Sequence, residues 1–111
     1  MKYLSLFALI ACAALADSST DAYRRENDEA MQRMMASMHV PSTGDVDRDF
    51  VAMMTPHHQG AIDMAQLELR YGRNEQLRRL AQEIIVTQRQ EIEAMAFALN
   101  PTTTPFGDSS K

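Results

Sequence analysis

The chain has 111 residues, 45% of them hydrophobic, and a net charge of −4; that is room for one domain and too little for a second core. The acidic balance excludes nucleic acid as a partner and favours cations. The single cysteine, Cys12, excludes a disulfide within the chain.

Residues 1–16, MKYLSLFALIACAALA, hold one basic residue, Lys2, then an apolar run and the small-residue pattern Ala14-Leu15-Ala16 before Asp17. This reads as a secretory signal, shorter than the roughly 20 residues of a spanning helix. Two fates are open: release after Ala16 into the periplasm or medium, or cleavage and acylation at Cys12, where Leu9-Ile10-Ala11-Cys12 resembles a lipobox. Loss of residues 1–16 leaves 10 basic and 15 acidic side chains and no cysteine. Any soft-metal ligand of the exported chain is then a methionine.

A first helix is predicted from about Thr20 to Met38, with Ser19 or Thr20 as its cap; with its linker it fills 17–44. Met31, Met34, Met35 and Met38 recur at i, i+3, i+4 and i+7, so its apolar stripe is nearly pure methionine, followed by His39. Such a stripe serves either as core filler or as a second metal-binding region.

The break at Pro41-Ser42-Thr43-Gly44 precedes a second helix, expected to start near Asp47 and to stop at Gly72. Phe50, Val51, Met54, His58, Ala61, Ile62, Ala65 and Leu69 share one of its faces, flanked by His57 and Met64. Pro56 lacks an N–H and crowds the carbonyl of Ala52, which predicts a kink or a restart capped by Thr55.

A third helix is predicted from about Asn74 to Leu99, its apolar face interrupted by Gln88 and Glu91. A polar side chain in such a stripe needs a partner. The short turn makes the second and third helices antiparallel neighbours over 45–99, which brings His57 and His58 to the level of Gln88 and Glu91. Residues 100–111, with Pro101, three threonines, Pro105 and Gly107, read as a disordered tail.

The candidate metal ligands are Met54, His57, His58 and Met64. Adjacent histidines on a helix point about 100° apart, so spacing leaves open which is the primary ligand. Met53, His57 and Met64 form one narrow stripe with Gly60 between them, and Met54 with His58 forms a second i, i+4 pair. Glu91 reads as a direct oxygen ligand or as an acceptor that fixes an imidazole's tautomer; the second suits soft thioethers better.

The stretch D-R-D-F-V-A-M-M-T-P-H-H-Q-G-A-I-D-M-A from Asp47 to Ala65, with Q-R-Q-E-I-E-A-M from Gln88 to Met95, resembles the bacterial family catalogued as domain of unknown function three hundred and five. The likeness covers about half of the chain, Asp45 to Leu99, and falls on Met54, Pro56, His57, His58, Ala61 and Met64. The resemblance implies a ferritin-like helical bundle in exported proteins, some of which bind copper or silver and are associated with copper tolerance.

Together these readings predict an all-α bundle of about three helices that binds Cu(I) or Ag(I) for sequestration, tolerance or handover. The alternative is a structural or interaction module without metal, and a homodimer is compatible with either. Catalysis is not expected: no Glu-x-x-His pair of the di-iron oxidases occurs, nor a nucleophile with its base in the mature chain.

Overall fold

A computed structural model describes residues 4–101, with side chains from Ser18 onward. The described chain is three helices, α1 (Leu4–Ser37), α2 (Val46–Tyr71) and α3 (Glu75–Leu99), with no strand among the described residues. The protein is a small all-α bundle.

α1 starts at Leu4 instead of Thr20. Leu, Ala, Phe and Ile fill the stretch before Asp17, and no glycine or proline intervenes before Pro41, so Ser18, Ser19 and Thr20 are carried inside the helix. No helix among the described residues is long and apolar enough to cross a membrane. The side chain of Cys12 and the expected tail beyond Pro101 lie outside what is described.

The turn into α2 is organised by two aspartates. Asp45 is the N-cap, its carboxylate accepting from the N–H groups of Asp47 and Arg48 at 3.0 and 3.2 Å. Asp49, in the first turn of α2, ties down the loop: it accepts from the Ser42 hydroxyl at 2.6 Å and from the Thr43 N–H and hydroxyl at 2.8 and 2.7 Å. These bonds, Ser42's foremost, hold its carboxyl below the ordinary carboxylate range. Gly44, at φ 83°, supplies the left-handed residue of the turn.

α2 passes through Pro56 without the restart expected at Thr55. The proline deprives only the Ala52 carbonyl of its helical donor, while neighbours on two sides of α2 hold the helix together. The helix stops at Gly72, though in an extended conformation and not as a left-handed cap. Its free carbonyls are met by Arg78 of α3, which donates to Leu69 O at 2.5 Å and Gly72 O at 3.1 Å. Asn74, expected as the first residue of α3, is its cap, accepting from Gln76 and Leu77 N–H at 3.0 Å.

α2 lies between the other two helices. Both pack on it, and among the described residues no Cα of α1 comes within 8 Å of α3. Two contacts explain the arrangement: His58 meets α3 through Glu91, and Gly60 meets α1 through Met34. Two residues apart, they point to opposite sides of α2. The α1 side is fastened by Arg33 to Asp63 at 3.7 Å, by Glu26 to Arg70 and to the Tyr71 hydroxyl at 2.6 Å, and by Tyr23 edge-on to Tyr71. Later residues of α2 pair with earlier ones of α1, so these helices are antiparallel, as are α2 and α3. The result is an open layer of three helices. Its buried apolar side chains among the described residues are only Ala30, Ile62, Ala65, Leu67 and Ala81.

Candidate metal centre

The two histidines are divided by one step of the helix. His58 is the buried polar side chain of the core, 8% exposed. Its Nδ1 lies 2.9 Å from the Met54 carbonyl oxygen and its Nε2 2.6 Å from Glu91 Oε2. A carbonyl only accepts, so Nδ1 carries a hydrogen, and Nε2 faces the carboxylate. Both ring nitrogens are thereby occupied by oxygen. Glu91 is half-exposed, so the carboxylate reaches the core imidazole from the surface of α3 and needs no burial of its own.

His57 faces out. Its ring is 6.1 Å from that of His58, centroid to centroid, at 61° between planes. Within about 40° of it on the wheel stand Met53, one turn earlier, and Met64, about two turns later; Met54 is about 60° away. Met53 is exposed, and Met54 and Met64 are half-buried. Gly60, between His57 and Met64, carries no side chain, and its place is taken by Met34 of α1: a Cβ there would come within 2.9 Å of Met34 Cγ and nearer still to its Sδ.

Of the four predicted ligands, His57 and Met64 share one strip of α2, Met54 stands between the two histidines and nearer to His58, and His58 is turned into the α3 contact. The prediction of His58 at the level of Glu91 is met by a direct hydrogen bond. Met53, outside the four predicted ligands, belongs with His57 by its i, i+4 spacing, as the stripe of Met53, His57 and Met64 in the sequence indicates. The methionines of α1 divide as well: Met34 packs on Gly60, whereas Met31 and Met35 are exposed and fill no core.

The donor chemistry is soft. Among the described residues, no group of three His, Cys, Asp or Glu side chains is placed to hold a metal ion. An ion on this strip would take imidazole nitrogen and thioether sulfur, which suit Cu(I) and Ag(I) and not Mg(II), Ca(II) or Zn(II). The groove of about 440 Å³ between α1 and α2 offers no such donors. Arg25, Arg33 and Arg70 line it with Glu26, Glu29 and Asp63, so its charges balance.

No curated protein matches the chain. A family model matches residues 11–99, well beyond the stretch that carries the His-His motif, so helix α1 is part of the family's pattern too. The chain belongs to the family described as Domain of unknown function (DUF305).

Proposed function

We propose that this protein is an exported binder of soft monovalent metal, Cu(I) or Ag(I), acting in sequestration, tolerance or handover. The observation that carries the reading is the strip of α2 on which the outward imidazole of His57 stands with the thioethers of Met53 and Met64, flanked by Met54. Thioethers are uncharged and soft, and they discriminate for Cu(I) and Ag(I) against cations that prefer oxygen. His57 is the imidazole ligand in this reading, and His58 is a positioning residue that fixes α3 against α2. The export half rests on residues 1–16 and is tested by the mass of the native protein, which is expected to begin at Asp17 or at an acylated Cys12.

The metal half is tested by competition with a chromogenic Cu(I) chelator under reducing conditions. His57→Ala is expected to weaken Cu(I) binding by about tenfold or more, the scale of one lost ligand. Met54→Leu with Met64→Leu is expected to erode the preference for Cu(I) over Zn(II) while leaving the fold, because the swap nearly conserves volume. Equal Cu(I) affinity of His57→Ala and the parent would remove the assignment.

A further inference from the structure

The three helices form a layer with two unlike sides. From the Arg33–Asp63 and Glu26–Arg70 pairs, the polar groove runs along one side of the α1–α2 seam. Neighbouring helices are antiparallel and right-handed, so stepping round each of a pair in the same sense from their contact line leads to the same side of the layer. That step leads, away from the groove, to Met35 on α1, to Phe50, Met53 and His57 on α2, and to Leu77 and Leu80 on α3. Leu77 and Leu80 stand within about 40° of Glu91, the residue that reaches His58 from this side. All five apolar members are among the exposed large hydrophobics, from 45% for Met53 to 59% for Met35. Five of the exposed large apolar side chains thus share one open face, while Val86 and Phe97 of α3 stand elsewhere.

We propose that a second copy of this chain covers this face, two-fold related, and that the metal site of the proposed function is completed between the two copies. Area supports it. Helices of 25 and 26 residues are about 38 Å long and pack 8–10 Å apart, so three of them present on the order of 1,000 Å², against the roughly 800 Å² per partner of a standard stable interface. The other occupants fit less well. Residues 4–17 continue α1 as one unbroken helix and so do not fold back over the face. A lipid surface attracts amphipathic helices with an excess of basic residues, whereas this chain sets 11 basic side chains, nine of them arginines, against 15 acidic ones. Near the centre of the face stands His57, where a two-fold axis sets like against like, while Glu91 is held by His58. The ion supplies the second reason. A flat face offers donors from one hemisphere only, so the outward imidazole of His57 with its neighbouring thioethers leaves the opposite hemisphere open. Apposed faces put His57 and Met53 of each copy on both sides of the ion.

The dimer stands without the metal reading, and the shared site rests on it, so the experiment separates the two. Light scattering behind size exclusion gives the mass of the purified chain without metal and with Ag(I), for the parent, for Leu80→Glu on the face and for Gln82→Glu, an exposed position away from it. The parent and Gln82→Glu are expected to be dimers at tens of micromolar and Leu80→Glu a monomer with unchanged helical circular dichroism. A monomeric parent, a Leu80→Glu chain that stays dimeric, or a parent that instead floats as a monomer with neutral phosphatidylcholine vesicles overturns the dimer. Ag(I) affinity of the monomeric Leu80→Glu chain is expected to fall at least tenfold. An unchanged affinity overturns the shared site. A parent that binds no Ag(I) overturns the shared site together with the proposed function, while the masses still decide the dimer.

Discussion

A buried imidazole with acceptors at both nitrogens is a strong local constraint, because loss of either partner leaves a polar atom in the core without water. At His58 one acceptor is the carbonyl of Met54, one turn back on the same helix, and the other comes from α3. Removing the second is the cleaner test. Glu91→Leu is expected to destabilise the fold by about 1–3 kcal/mol, the cost of an unsatisfied buried polar group, and Glu91→Gln by less, since the amide still offers an oxygen. Urea midpoints at constant slope give the comparison, and a leucine variant as stable as the parent would mean that the bond contributes nothing. Which histidine takes this role was not legible in the sequence. Hairpin spacing placed the pair beside Gln88 and Glu91, but adjacent residues on a helix differ by about 100°. The rotation that buries His58 and exposes His57 is set by what lies on the far flank of α2, where Gly60 lets α1 approach.

That approach defines the α1–α2 element. The helix ends that matter most were readable because their chemistry is local: Asp45 and Asn74 accept from the N–H groups of the next turn, and the chain breaks at Pro41–Gly44 and Gly72–Asn74 follow. The start of α1 was not readable in the same way, since cap residues do not stop a helix whose flanks are all good formers. The methionine periodicity of α1 was visible, yet period alone cannot say that Met34 enters the seam while Met35 faces out. Gly60 is the reason. Alanine is favoured over glycine in a helix by about 1 kcal/mol, but here a Cβ overlaps the stem of Met34 as well as its sulfur. Gly60→Ala is therefore expected to lower stability despite the better propensity. Adding Met34→Ala to it is expected to restore part of the loss, because the two substitutions touch and cannot be additive. Thermal melts of both single variants, the double and the parent measure the coupling; additive changes would mean that the seam is not closed at Gly60.

At the scale of the molecule, a layer of three helices with one shared neighbour has no closed core, and its buried apolar side chains are mainly alanines with Ile62 and Leu67. A fold of this size draws most of its stability from apolar burial, so covering the open face governs how well the whole structure holds together. If the second copy supplies that cover, unfolding is coupled to dissociation and the melting temperature depends on concentration. A tenfold rise in concentration is worth about 1.4 kcal/mol per dimer. With an unfolding entropy of about 2.1 cal/mol/K per residue over roughly 170 ordered residues of two exported copies, that corresponds to a rise of about 4 °C. Calorimetric scans of the exported parent at about 5 and about 500 µM should then differ by roughly 8 °C, with the higher concentration the more stable. Leu80→Glu, which places a carboxylate at a half-exposed position of the same face, should melt at one temperature throughout, and below the concentrated parent. A parent whose melting temperature is the same at both concentrations would mean that each chain folds with its methionine face bare, and that the exposed Phe50, Leu77 and Leu80 serve something other than self-association.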